Sequence, residues 1–498
     1  MRKAYFILLF SFFFGSSVLS QNFGEIVSVK YDSMALEAIM DSLGNQYDLR
    51  FSYANQRIPV KRRLTIIEKD VPLLDLIDKL FQSLNLEYRI IGGSVVLRRS
   101  SPIEATLITG KVLESNGTTP IPYVHISHLE SSSGVITNDE GEFLYWIENS
   151  SENESVSFSS IGFKKKIFPL SYLVGKKSII LLEDTTITLD EVVISSSSAK
   201  QLILNALDKK KENLPDSPYL MKGFYRTSYK EGDQYVSLLE AALNIYDTDF
   251  FQRNGLSIIA QTVRKSNDYR KYKWDEGSNY LAHFLLDTDL IRNNEGALNK
   301  SMLEAWNFEI ESTSYLEGDL IYKIKADLKD FEDDSSLTFT ADVYLRDTDF
   351  AIFKIDYEYL WDAKYSSRRV SKDIALKATG VKVKTRYKSH QSRMFLSYQF
   401  REGYMNVYDR KSDQLLQRVT IADEFISNSI KVDVPEPYGK KLRRLGDVYQ
   451  LSSYYSEKFW ENYNVPVETS LFIDIKNDLE QHIPLEKQFR SNASIVLN

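Results

Sequence analysis

One pattern repeats through the second half of this chain. Apolar and polar residues alternate along Leu320 to Ala326, Leu337 to Leu345, Ala351 to Tyr359, Ile374 to Tyr387, Met394 to Phe400 and Leu415 to Phe425. Successive side chains of a strand point to opposite faces, so this period prescribes strands with one buried and one wet face. Such strands belong to antiparallel sheets, because parallel sheets are covered on both sides. The rings of 31 Tyr and 27 Phe favour the same outcome, since flat side chains pack well on a pleated surface. Tyr219 to Arg226 and Tyr235 to Tyr246 extend the signal upstream, although the adjacent apolar pair Leu238 and Leu239, ahead of Glu240, interrupts its period. Residues 252–310 are mixed and polar, with a helical insertion expected around Asn279 to Leu286.

At 498 residues the chain exceeds what one core normally supports, about 250–300 residues, so several domains are expected. Residues 1–20 read as a signal peptide: Arg2 and Lys3, the apolar run Ala4 to Phe14, then Val18-Leu-Ser20 before Gln21. Export would change the net charge from −7 to −7 − 2 = −9, which offers no attractive field to nucleic acid. There is no cysteine, so disulfides, thiolate chemistry and a lipid-modified cysteine are excluded. No transmembrane segment is expected in the mature chain, because the apolar run is shorter than the ~20 residues a spanning helix needs.

Residues 21–99 read strand, helix, two strands, helix, two strands. Val27 to Tyr31 alternates at period two; Ser33 is then expected to cap a helix with Leu36, Ile39, Met40 and Leu43 on one face, ended by Gly44. Tyr47 to Tyr53 and Leu64 to Ile67 read as strands. Asp70 and Pro72 are expected to open a second helix with Leu73, Leu74, Ile77, Leu80, Phe81 and Leu84 inward, and Leu86 to Ile91 and Val95 to Leu97 form a hairpin around Gly92-Gly93. This βαββαββ order resembles the short domain at the N-terminus of secretins and TonB-dependent transporters. The resemblance implies a periplasmic contact module, not a catalyst.

Residues 106–194 follow the Ser100-Ser-Pro102 linker. Leu107 to Leu113, the turn Asn116-Gly117, Val124 to Ile126, Gly134 to Asn138 and Phe143 to Ile147 are short strands separated by turns, which describes a small β-sandwich. Gly110, Val112, Thr137-Asn-Asp-Glu-Gly141 with Phe143, Ser159-Ser-Ile-Gly-Phe163 and Leu189-Asp-Glu-Val-Val-Ile194 resemble the carboxypeptidase regulatory-like domain. That resemblance implies a seven-stranded, prealbumin-like sandwich. Asp139 and Glu140 are read as turn carboxylates, since no further calcium ligands stand at usable spacing.

Beyond the Ser195 to Ser198 linker, residues 199–498 are expected to form a larger β-rich domain with peripheral helices. Ala199 to Glu212 reads as a helix whose Lys209-Lys-Lys211 run suits its C-terminal dipole at the surface. The Asp347-Thr-Asp349 turn before Phe350-Ala-Ile-Phe353 resembles lipoprotein-carrier-like half-barrels, which implies a curved sheet enclosing an apolar pocket. Phe224-Tyr-Arg226, Glu240 and the tail segments Phe459 to Val465, Ile473 to Leu479 and Leu485 to Phe489 resemble exported bacterial proteins that carry a β-rich region after a carboxypeptidase regulatory-like domain. A TonB-dependent plug and barrel do not fit into residues 199–498, because such barrels need many more strands of ~10 residues.

Chemistry-bearing motifs are scarce. The five histidines His125, His128, His283, His390 and His482 contain no pair at the i, i+4 spacing of a helical zinc site. No G-x-S-x-G elbow or phosphate loop is present. The Asp-Thr-Asp triplets at 247–249, 287–289 and 347–349 lack the Gly and distant Glu of a calcium loop, so turns before Phe250, Leu290 and Phe350 are expected. Hence no catalytic, cofactor-binding or metal-binding residue is assigned, and no cofactor. The expected role is non-enzymatic: a cell-envelope protein at the periplasmic side of the outer membrane, with a protein partner for the N-terminal modules and a partner or apolar or glycan ligand for residues 199–498. Two alternatives stand: an envelope enzyme acting on glycan or peptide through carboxylates in 199–498, whose separation the sequence hides, and an accessory component of TonB-dependent uptake.

Overall fold

The computed structural model describes residues 25–497 except 55–57, 85, 92–93, 100–104, 152, 186–195, 253–254, 273–287, 330–336, 362–366, 370–372, 438–440, 443–454 and 456. The expected leader, the Gly92-Gly93 turn, the Leu189 to Ile194 motif and the Asn279 to Leu286 insertion fall outside these residues or within those exceptions. The chain is mostly β-sheet and separates into two compact units, residues 1–100 with 497–498, and residues 101–496.

In the first unit the order is strand Ile26–Ala35, helix Leu36–Tyr47, strands Arg50–Ser52 and Arg63–Pro72, helix Leu73–Ser83, and strands Leu86–Ile91 and Ser94–Arg99. Helix positions Leu36, Ile39, Met40 and Leu43 on one helix and Leu73, Ile77, Leu80 and Phe81 on the other are buried, at about 1.5–3 kcal/mol per fully buried side chain. Several expected boundaries move: Tyr47, expected in a strand to Tyr53, ends the first helix and the strand is Arg50–Ser52, while Asp70 and Pro72, expected to open the second helix, belong to the strand before it. Ser33 does not cap the first helix; it takes a left-handed φ of 44°, and the capping position is Ala35. Gly44 lies inside that helix, which ends one turn later at Asp48 with φ 52°.

The second unit contains a β-sandwich and a large sheet. The sandwich pairs a four-stranded sheet (Lys166–Pro169, Ser155–Ser159, His125–His128, Gly134–Ile136) with a three-stranded one (Lys177–Leu182, Ala105–Glu114, Glu142–Glu148). Val112, Val124, Ile126, Phe143, Tyr145 and Phe158 fill the space between them. Two glycines are required there. A Cβ at Gly110 would sit 2.1 Å from the Ser178 carbonyl, and Gly141 turns with φ 74° against the Val112 carbonyl.

Among the described residues the large sheet has eleven strands and is open. Its main path runs Leu256–Lys265, Gln234–Asp247, Tyr219–Glu231, Leu415–Val432, Arg393–Asp409, Ile374–His390, Ile352–Leu360, Thr338–Arg346, Asp319–Leu328 and Trp306–Leu316, with Ser367–Arg369 added beside Ile374–His390. Every pairing is antiparallel, as the alternation requires.

Both faces of this sheet are covered along part of their length. The inner face carries Tyr225, Phe425, Val383, Ile355 and Val343, overlaid by the helix Ser196–Asp208 and by short turns between Leu290 and Ala305. The outer face carries Phe224, Leu238, Tyr398 and Ile426, which meet the sandwich and the C-terminal helices Glu457–Glu461, Ser470–Leu479 and Leu485–Ser491. Ser196 to Ser198, expected as linker, form the first turn of the Ser196–Asp208 helix. Lys210 is not merely dipole-matched surface: its ammonium is half-buried, bonded to the Ile291 carbonyl and, at 2.8 Å, to Asn294 Oδ1.

Candidate functional site

Backbone geometry prepares a cavity on the inner face. Tyr357 and Tyr359 are two residues apart on one strand, so both project inward, and Phe339 stands opposite Tyr359 on the neighbouring strand. The rings form a continuous wall: Trp306 meets Phe339 edge-on at 4.9 Å, Phe339 stacks on Tyr359 at 5.0 Å, and Tyr359 touches Trp361 at 4.8 Å. Elsewhere in the lining Gly403 carries no side chain and Ala378 carries only a methyl group. The result is a cavity of about 570 Å³, within the roughly 300–1,000 Å³ of small-molecule sites.

One end of the cavity is polar. Tyr357 donates to the Thr288 carbonyl at 3.0 Å, and Gln399 reaches Thr288 Oγ1 at 2.9 Å. Burial pushes the Tyr357 phenol well above its ordinary value, so it remains a neutral donor. Arg401 enters the lining beside Glu295 and is bonded to Asp423 Oδ2 at 3.2 Å. Behind this end, Tyr387 donates to Asp289, whose carboxylate also caps the short helix Leu290–Asn293 through the amides of Ile291 and Arg292. Arg292 in turn holds the fully buried Asp247 at 2.6 Å. These bonds seat residues 288–293 on the sheet and close the cavity there.

A smaller cavity of about 100 Å³ lies on the outer face between Asp139, Arg226, Tyr398, Glu424 and Phe472. Burial, and then the charge of Asp139, push the Glu424 carboxyl up. The space holds only a few waters, too little for a sugar or peptide beside the pair.

The described members of the acidic triplets and histidines singled out in the sequence resolve into local structure, while His283 lies outside the described residues. Asp289 is a helix cap, Asp349 accepts from Ala351 N at 3.0 Å and pairs with Arg346, and Asp249 accepts from Phe251 N at 2.9 Å. All three act as turn or cap residues, while Asp287 lies outside the described residues. His128 is buried between Ser131 and Glu154, and His125 bonds Ser397 at 2.9 Å. No group of three metal-ligating side chains occurs among the described residues. Glu240 is fully buried, receiving Arg226 Nη2 at 2.7 Å and Arg264 Nε at 2.5 Å. Burial pushes its carboxyl up, but Arg264 and Arg226 outweigh this and hold it below its ordinary value. Phe224, Arg226 and Glu240 are thus architectural.

The fold and cavity define a β-rich unit: a small sandwich docked on an open sheet with an aromatic-walled chamber. Residues 108–194 match the family model of the CarboxypepD_reg-like domain, over the stretch where the motif residues stand. No curated protein matches the chain. Among solved structures, a domain described as a putative outer membrane lipoprotein-sorting protein from Vibrio parahaemolyticus is 8% identical and covers 49% of this chain and 95% of its own, with a TM-score of 0.20. A DUF1329 family protein from Desulfovibrio piger is 13% identical over 48% of this chain and 95% of its own, at 0.22. FpvA of P. aeruginosa, bound to heterologous pyoverdines, is 10% identical over 82% of this chain and 66% of its own, at 0.14. No helix among the described residues is long and apolar enough to cross a membrane.

Proposed function

We propose that residues 199–498 bind an apolar ligand, such as an acyl chain or fused ring system, in the aromatic-walled cavity. In this reading the two N-terminal modules make protein contacts at the periplasmic side of the outer membrane, and the chain is not an enzyme. The observation that carries it is the chain of rings from Trp306 through Phe339 and Tyr359 to Trp361 lining a cavity that Gly403 and Ala378 leave open. Such a wall offers large apolar area with little rotamer entropy to lose on binding. The polar end at Thr288 and Arg401 supplies orientation for a headgroup.

The carboxylates that an enzyme reading would need are committed elsewhere. Glu240, Asp247 and Asp423 each form an ion pair with an arginine, Glu240 with Arg226, Asp247 with Arg292 and Asp423 with Arg401. The test is organic extraction of the purified full-length chain with mass spectrometry of the extract, followed by titration with a fluorescent fatty acid. Recovery of an apolar molecule and saturable probe binding are expected. A chain that yields no apolar molecule and gives no saturable probe signal sinks the reading.

A further inference from the structure

A second groove, about 890 Å³, lies on the outer face of the large sheet, where the sandwich strands His125–His128 and Ser155–Ser159 stand across from the strands Thr338–Arg346, Ile352–Leu360 and Ile374–His390. It lies across the sheet from the aromatic cavity: on the strand Ile352–Leu360 Lys354 and Asp356 line the groove and Ile355 and Tyr357 point into the inner core, while Phe353 and Tyr387, beside register shifts, border both. The two chambers differ in chemistry. Ten serines line the groove, enough hydroxyls to serve as both donors and acceptors along an oxygen-rich ligand.

Charge is unbalanced here. Among the described residues, six cations (Lys165, Lys354, Lys384, Lys388, Arg346, Arg386) face three carboxylates (Glu317, Asp319, Asp356), an excess of 6 − 3 = +3 in a chain whose net charge is −7. The carboxylates are already shared: Asp356 holds both Arg386 and Lys354, Glu317 holds Lys165, and Asp319 holds Arg346. Lys388 has no hydrogen-bond or ion-pair partner among the described residues. Its neighbours are themselves cationic or neutral, namely Arg386 and the rings of His125 and His390. Burial pulls the Lys388 ammonium down to about 8 and the His125 ring down to about 3, so near neutral pH the lysine is largely charged and His125 is a neutral hydrogen-bonding group. Sequestering an ammonium without a counter-charge is costly, and an incoming anion offsets that cost.

We infer that this interdomain groove binds an anionic sugar, with the acidic group at Lys388 and Arg386 and the hydroxyls along the serine-lined walls. The site is independent of the aromatic cavity, so a ligand in one chamber does not compete with a ligand in the other.

Calorimetric titration of the full-length chain at pH 7 tests this with three probes: trigalacturonate, glucose 6-phosphate and neutral galactotriose. One or both acidic sugars are expected to bind with Kd below about 1 mM, and galactotriose at least about tenfold more weakly. Binding of only one acidic probe identifies carboxylate or phosphate as the recognised group. Lys388→Met is expected to weaken the acidic sugar about tenfold or more while leaving fluorescent fatty-acid binding unchanged, and Lys388→Arg to restore most of the affinity. Equal affinity for galactotriose, an unaltered Lys388→Met, or no heat from either acidic probe would each overturn the assignment. The fatty-acid control keeps this outcome separate from that of the aromatic cavity.

Discussion

The side-chain amide of Asn464 pairs with the backbone of Trp146 in both directions: Nδ2 donates to the Trp146 carbonyl at 3.0 Å, and Oδ1 accepts from the Trp146 amide at 2.7 Å. Trp146 lies on the edge strand Glu142–Glu148 of the sandwich, where backbone groups would otherwise lack a partner. The Asn464 carbonyl accepts from Asn428 Nδ2, on the large sheet, at 3.0 Å. One residue thus clips the sandwich to the sheet. Asn464→Ala is expected to cost about 1–3 kcal/mol, the penalty of leaving partly buried amide groups unpaired. Urea unfolding followed by tryptophan fluorescence checks it, with a lower midpoint at unchanged slope.

Glu240 provides the sharper test of the sheet. Removing its charge as Glu240→Ala leaves Arg226 and Arg264 facing each other on a buried surface, with an expected loss of about 3–5 kcal/mol. The pH dependence has a definite sign. The folded pKa lies below the ordinary 4.5, so the contribution of the carboxylate is complete above that value and is lost as pH falls through the folded pKa. Thermal unfolding between neutral pH and pH 3 should show a steeper loss in the parent chain than in the variant.

In the aromatic cavity, Ala378→Trp places an indole in the space left by the small residues. Affinity for a fluorescent fatty acid should fall about tenfold or more, equivalent to ~1.4 kcal/mol, with little change in Tm. The tryptophans Trp306 and Trp361 make the wall its own reporter. Their emission should be quenched by the probe in the parent chain, and replacing both by Phe should remove most of that quenching.

How much of the fold is legible in the sequence depends on which face a strand exposes. Where one face carries charged or polar side chains, as Lys382, Lys384, Arg386 and Lys388 do on Ile374–His390, alternation marks the strand clearly. Gln234–Asp247 is different: Leu239 faces the inner core and Leu238 lies beneath the C-terminal helix Ser470–Leu479, so both neighbours are apolar and the period dissolves. The strand Leu256–Lys265 lies hidden within the mixed stretch 252–310. The aromatic wall is invisible as a unit in the sequence because Trp306, Phe339 and Tyr359 are brought together only by strand register. A signal does exist in Gly380 and Gly403, glycines inside strands, which mark close approach or a missing side chain. The carboxylate Glu240 in an otherwise apolar run likewise points to a buried ion pair.

Within the sandwich, Gly110→Ala should be among the most damaging single methyl additions, because the new Cβ would sit 2.1 Å from the Ser178 carbonyl and 2.8 Å from the Phe143 ring. Both neighbours are fixed, one as backbone of a paired strand and the other as a buried core ring. A loss above about 3 kcal/mol is expected, measured as a drop in the unfolding midpoint.

Lys388 links stability to pH in the opposite sense from Glu240. Its folded pKa is about 8 against an ordinary 10.5, so between these values the unfolded chain binds more protons. Stability therefore rises with pH across that window, and below pH 8 the folded state carries the whole penalty of the half-buried charge. Lys388→Met removes the penalty, so its Tm should exceed that of the parent at pH 7, and the gap should shrink as pH is raised from 8 towards 10.5. Thermal scans of the two chains at pH 7, 9 and 10.5 measure the gap directly. A variant that is less stable than the parent at pH 7 would show that the Lys388 side chain is held by packing along its stem and not penalised for its charge.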